Sequence, residues 1–404
     1  FTWLVDAVLE GARNDLLFLP IAIDYEKVVE GASYKQELQG GEKKPEDLKA
    51  LLSAPAVLTE NYGRIHLTFD EPVSLKKLME ERGVDPEKAT DEQKKTLVRA
   101  LGHRVMYGIS RVSTVTPHAL LASALLAHRR RGIAPREITD RIVFLRGLAA
   151  DLGAPSSRLL ENSPSDPTVI GPIRDAMRMF ASAGMVRSVE AGGVPIFQVE
   201  DDRRAELSFS KNTLMNLIAG RTIVCAAVLA AEPKKDRATI KELALFLSRL
   251  FKLEFIYPVG KTFPIIFEET VTHLHKLGLL SQQDDGTIHI APEAHAKPMV
   301  QFLADLLRDA LESYLLAART AVTLGATPGD KKEFLKRALD TGRAEFLAGT
   351  ITAAEALSKT SLENALQFLI EQHYLDEKDK KLAPGAFSAA ELVDQIRRFV
   401  PENT

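Results

Sequence analysis

The chain has 404 residues, 45% apolar and 26% charged, with a net charge of −3. This is the balance of a globular chain of about two to four domains, not of a disordered one. It excludes a global basic field for nucleic acid. Cys225 is the single cysteine, which excludes an intrachain disulfide framework and a Cys-rich zinc site and reads most simply as an intracellular setting. The sequence opens on Phe1, which reads as a processed start or a piece of a longer chain. The first ten residues carry Asp6 and Glu10 and no basic start, so no signal peptide is expected. The most apolar run, 223–231, falls far short of the roughly 20 residues that a membrane span needs.

Along the chain, 16–23 is a continuous apolar run, read as a strand buried on both faces; Pro20 within it marks an edge or a strand end. Residues 40–44 form a polar loop, and Pro45 opens a helix predicted over 46–61. Residues 64–69 alternate as a second strand. Strand, helix and strand read as a βαβ unit, and so as part of a parallel sheet. From Lys94 the apolar period becomes helical, with Leu97, Leu101, Val105 and Ile109 on one stripe. Helices are predicted over 118–131 and 135–152, and a Gly-, Pro- and Ser-rich linker over 153–167.

A pattern then recurs three times: a helix followed by a small hairpin. The helices are 170–184, 265–277 and 362–373; the hairpins centre on Gly192-Gly193, Asp285-Gly286 and 376–381. These read as winged-helix-like modules. A single long amphipathic helix is predicted over 296–322. The resulting division is 1–93 as the end of an α/β domain, 94–205 as a helical region with the first module, 206–325 as the second module with the long helix, and 326–404 as a C-terminal helical module.

Few motifs carry chemistry by themselves. Gly260-Lys261-Thr262 resembles the end of a phosphate loop, but Phe255 occupies the position where that loop needs its first glycine. His273 and His275 are two apart and face different ways on a helix, so no metal site is expected. The Arg129-Arg130-Arg131 triplet suits either an anion or a solvated helix C-terminus. The helices in recognition position carry Glu268, Glu269, Glu363 and Glu371, so no nucleic-acid partner is expected. The carboxyl ends of the two strands are more suggestive. Asp24-Tyr25-Glu26 and Phe69-Asp70-Glu71-Pro72 would lie on one side of a parallel sheet, where ligands bind, with Lys35, Lys43 or Lys44 near to hold an anion.

Phe18-Leu-Pro-Ile-Ala-Ile-Asp-Tyr-Glu26, followed by Glu30-Gly-Ala-Ser-Tyr34, Gly40 and Lys43-Lys44, resembles the third conserved block of the bacterial membrane-associated glycerol-3-phosphate acyltransferases. Gly63-Arg-Ile-His-Leu-Thr-Phe-Asp-Glu-Pro-Val-Ser-Leu75 resembles their fourth block, with Asp70 where its usual form has Gly. The resemblance covers most of the chain, more loosely after about residue 325. It implies transfer of a fatty acyl group from acyl-CoA or acyl-ACP to the 1-hydroxyl of glycerol 3-phosphate, in phospholipid synthesis, at the cytoplasmic face of the membrane and without a cofactor. In that family a histidine in an HxxxxD motif is the general base; here no histidine has Asp five positions later, so these 404 residues alone are expected to be inactive. Carried over by resemblance, Pro20, Tyr25 and Glu26 belong to the glycerol-3-phosphate-binding block and Phe69, Glu71 and Pro72 to the fourth block; Tyr25 and Glu26 are expected near the polyol and Phe69 and Pro72 at the site wall, with Lys35 as a further substrate-binding candidate. The alternative is a non-catalytic helical module that docks a partner protein, an acyl carrier or the membrane surface.

Overall fold

The computed structural model describes residues 1–26, 63–128, 132–161, 170–232, 235–324 and 329–400. The helix expected over 46–61, Lys35, Lys43, Lys44, the 30–44 part of the third-block resemblance and the arginine triplet at 129–131 lie outside these residues.

The N-terminal part holds a small core of its own. Helix α1 (Thr2–Leu9), α2 (Leu75–Glu81) and the start of α3 (Asp91–Arg111) gather around Val5, Val8, Leu75, Leu78, Met79, Leu97 and Leu101. A capping box, with Thr90 and Gln93 exchanging side-chain and backbone bonds, sets the start of α3. The strands β1 (Leu17–Phe18) and β4 (Val73–Ser74) pair antiparallel beside this core.

Strands β2 (Ile21–Tyr25) and β3 (Ile65–Phe69) form the ladder that the sequence predicts, but they run antiparallel, with Ile21 opposite Phe69 and Tyr25 opposite Ile65. The expectation of a parallel pair is therefore corrected. Alternation and run length identify a strand; neither encodes the direction in which it meets its neighbour. The apolar run is also not buried on both faces. From Leu17 to Glu26 exposure alternates residue by residue, and the apolar side is the exposed one.

The rest of the chain shares one continuous core, from Val115 to Phe399. Its hub is α7 (Arg204–Ala230), which packs against α4 (Pro117–Leu126), α8 (Arg237–Leu250), α9 (Phe263–Lys276) and α10 (Ala296–Asp305). The sequence reading registers only the end of this helix. The helical stretch Asp201–Ala230 has the length and apolarity of a membrane span, and 61% of its most apolar window is buried within the protein. A helix apolar on every side is one surrounded by others, and here the neighbours are protein. Each expected helix-and-hairpin is present: α6 (Ile170–Ser182) precedes β5 (Val186–Ala191) and β6 (Val194–Val199), α9 precedes β7 (Leu280–Gln282) and β8 (Ile288–Ile290), and α13 (Lys359–Glu371) precedes β9 (Leu375–Lys378) and β10 (Lys381–Pro384). All three pairs are antiparallel.

The long helix predicted over 296–322 is instead two, α10 and α11 (Arg308–Leu324), broken at Leu306 and Leu307. At the break the buried Lys211 ammonium of α7 donates to the Leu306 carbonyl at 3.3 Å and to both oxygens of Asp309 at 2.6 Å. Burying a lysine demands such partners, and a carbonyl turned toward it is one the helical ladder does not use.

Near α13, Glu254 is half-buried and accepts from Asn364 Nδ2 at 3.2 Å. Burial pushes its carboxyl up to about 7, against the smaller opposing pull of Asn364. The folded state therefore holds this proton more tightly than the unfolded chain, and stability falls as pH rises from about 4.5 to 7. Replacing Glu254 by Gln should remove up to roughly 3 kcal/mol of that fall. Urea midpoints of the two proteins at pH 5 and pH 8 measure the difference; parallel pH profiles would refute it.

Candidate functional site

The two faces of the β2–β3 ladder differ sharply. Ile21, Ile23 and Tyr25 of β2 and Ile65, Leu67 and Phe69 of β3 point outward, as do Leu17 and Leu19 just before β2; Tyr25 is 43% and Phe69 53% exposed. The inward face carries the small Ala22 and the polar Asp24, Glu26, His66 and Thr68.

Glu26, 4% exposed, is the centre of the inward face. Its Oε2 accepts from the Arg64 backbone N–H at 3.0 Å, and its Oε1 lies 3.4 Å from His66 Nε2 and 3.5 Å from Ser157 Oγ. Asp24 Oδ2 accepts from the Thr114 N–H at 2.7 Å, and Thr68 Oγ1 is 3.2 Å from Thr114 Oγ1. Burial raises the Asp24 carboxyl, with the Thr114 N–H and His66 pulling it back. His118, packed edge-on against Phe180 at 5.5 Å, is driven down to about 4 by burial, against the pull of Glu26, so it is neutral at physiological pH. Gly63 opens this corner with φ +72°; a Cβ there would sit 2.5 Å from Glu26 Oε2. A histidine whose ring is fixed by a buried carboxylate is a common base or hydrogen-bond donor.

The structure separates residues that the sequence places together. Tyr25 and Glu26 are neighbours on opposite faces. Because the ladder is antiparallel, Tyr25 and Phe69 lie at opposite ends of it, about 14 Å apart along the strands. The expectation of two carboxyl-end loops on one side of the sheet is corrected accordingly. Glu71 and Pro72 are exposed just beyond β3. Pro20 is buried between β1 and β2, and its carbonyl accepts from the Asp70 N–H at 3.0 Å. Asp70 does not adopt positive φ; its carboxylate pairs with Arg111 in the last turn of α3. The ladder thus seats on α3 at Gly108, where a Cβ would meet Asp70 Oδ2 at 2.7 Å and Pro20 Cγ at 2.8 Å. Sequence reasoning missed Thr114, His118 and Ser157, which lie far from both blocks in the chain and carry no local signal. His66 was visible inside the fourth block but had no partner at motif spacing.

Residues 34–378 match the family model of the glycerol-3-phosphate acyltransferase C-terminal region. The chain belongs to the glycerol-3-phosphate acyltransferase family. It is similar to plsB1 of Mycobacterium tuberculosis, 26% identical over 387 residues that cover 93% of this chain and 59% of the relative. It is also similar to the glycerol-3-phosphate acyltransferase of Alteromonas mediterranea, 25% identical over 98% of this chain and 47% of the relative. That of Xanthomonas campestris is 26% identical over 79% of this chain and 36% of the relative. The chain spans about half the length of the curated relatives that it matches.

Gly108 gives a direct test of how the acyltransferase ladder is seated. Alanine favours a helix over glycine by about 1 kcal/mol, yet here its methyl meets the rigid Pro20 ring. Overpacking of this kind costs about 1–3 kcal/mol, so Gly108→Ala should lose about 1 kcal/mol net. A raised urea midpoint in Gly108→Ala would contradict this seating.

Proposed function

We propose that these residues are the C-terminal portion of an enzyme that moves a fatty acyl group from acyl-CoA or acyl-ACP to the sn-1 hydroxyl of glycerol 3-phosphate. The family match over residues 34–378 carries the reading. In this reaction the hydroxyl attacks the thioester carbonyl, the thiol leaves, and the hydroxyl proton passes to a base. The family's HxxxxD histidine is not among the 404 residues, so the proposal includes that they do not turn over by themselves.

In this reading the block that carries Tyr25, Glu26 and Lys35 serves the polyol and its phosphate, Glu26 from its buried position by holding His66 and the Arg64 backbone, with Pro20 fixing the strand. Phe69, Glu71 and Pro72 shape the wall. The outward apolar face supports the assignment. A two-stranded ladder is marginal alone, and one whose exposed side is wholly aliphatic and aromatic suits packing against further chain; the relative from Alteromonas is about twice as long as the part that this chain matches.

A second reading, a docking module for a partner or the membrane surface, draws on α1. Trp3 is 89% exposed there, with Phe1 and Leu4 also outward. Aromatic and aliphatic side chains on one short helix suit an interfacial contact at the cytoplasmic face of the membrane.

The test has two readouts. Acylation of radiolabelled glycerol 3-phosphate by palmitoyl-CoA or palmitoyl-ACP should stay at the buffer level with this chain alone. The DNA upstream of the Phe1 codon should encode an HxxxxD motif in frame. Turnover by the isolated chain would overturn the proposed inactivity. A start codon immediately before Phe1 would overturn the catalytic assignment and favour the docking reading.

A further inference from the structure

Helix α7 carries a glycine, Gly220, in its interior, where alanine would hold a helix better. The space that its missing side chain leaves belongs to a cavity of about 190 Å³ between α7, α8 and α9. The walls are mostly apolar: Ile223 and Val224 of α7, and Phe263, Ile266 and Phe267 of α9, with Tyr257 beside them. An apolar cavity of about 150 Å³ is already enough to hold a benzene ring.

One polar group is left over inside it. Thr270 lines the cavity and is 1% exposed, yet its hydroxyl bonds to no described residue. Buried threonines elsewhere in the helical part donate to a carbonyl one turn back, Thr222 to Ala219 and Thr320 to Leu316, both at 2.8 Å. A buried hydroxyl without a partner is unfavourable, and here the partner has room to come from an occupant. A Cβ at Gly220 would stand 3.3 Å from Thr270 Oγ1 and 3.9 Å from Ile266 Cγ2. The glycine therefore keeps open the space that faces this hydroxyl. The remaining wall hydroxyls have other outlets: Tyr257 donates to the Ser248 carbonyl at 3.2 Å, and Ser248 is only half-buried.

The mouth is neutral in sum. Lys261, half-exposed there, holds both oxygens of Glu269 at 2.7 Å. A charged ligand would lose its hydration against this wall without gaining a free counter-charge. We propose that the cavity binds a small neutral amphiphile, an apolar ring or short chain with one hydroxyl or carbonyl group that Thr270 meets. Bound there, it ties α9 to the hub helix α7. The proposal does not rest on the acyltransferase reading, because it concerns binding and is measured without turnover.

Benzyl alcohol, toluene and benzoate share one ring and differ in the polar group. Calorimetric titration of the 404-residue chain with benzyl alcohol should show saturable binding, and the melting temperature should rise with its concentration. Benzyl alcohol should bind about three- to tenfold more tightly than toluene, the contribution of one hydrogen bond. Thr270→Val should erase that difference by weakening benzyl alcohol while toluene binds as before. This variant removes an unpartnered buried hydroxyl, so the free protein should keep or raise its melting temperature, which shows that it folds. Gly220→Ala, which fills the space at the hydroxyl, should also weaken benzyl alcohol. Absence of saturable binding, or equal affinity for benzyl alcohol in the wild type and Thr270→Val, would overturn the proposal. Tighter binding of benzoate than of benzyl alcohol would overturn the neutral class of ligand.

Discussion

Burial of α7 is the constraint on which the helical part of this protein depends. An apolar helix of 27 residues is unfavourable in water on every face, and α4, α8, α9 and α10 cover it. Two of the charges it carries inward meet opposite charges. Lys211 meets Asp309 and the Leu306 carbonyl. Arg204 forks onto both oxygens of Glu355 at 2.6 and 2.8 Å. Burial disfavours the Glu355 charge, and Arg204 more than offsets it, so that carboxyl is held below its ordinary range. These pairs link α7 to α11 and to the segment before α13. They fix which helix meets which, since a misplaced partner would leave a buried charge alone.

The N-terminal ladder follows a different logic. Its polar residues are buried and its apolar residues exposed, the reverse of a free-standing sheet. The buried side is stable because each carboxylate finds backbone or side-chain donors: Asp24 from Thr114, and Glu26 from Arg64, His66 and Ser157. Among the described residues the exposed side has no such compensation. In an acyltransferase reading the two faces divide the labour, one fixing His66 and the Arg64 backbone through Glu26 and the other offering area for packing.

Local order was largely legible in the sequence. The helix stripe through Leu97 and Leu101, the prolines at the starts of α4 and α5 (Pro135–Asp151), and the glycine turn at Gly192 and Gly193, both with positive φ, depend on contacts within a few residues. So did the two family blocks, whose residues are contiguous. The break at Leu306 was not legible, because the lysine that binds its carbonyl lies on another helix. Nor was most of α7, whose apolar residues show no single-faced period because it is covered on several sides.

The sequence by itself determined the kinds of elements, the recurring helix and hairpin, and membership of the glycerol-3-phosphate acyltransferase family, since these reside in short-range periodicity and in runs of consecutive residues. Tertiary structure alone decided the antiparallel sense of β2 and β3 and the meeting of Glu26 with His66 and Ser157. The physical reason is that strand direction and side-chain convergence are set by contacts between segments far apart in the chain. Those contacts are selected by burial and hydrogen-bond satisfaction across the whole fold, and no local spacing records them.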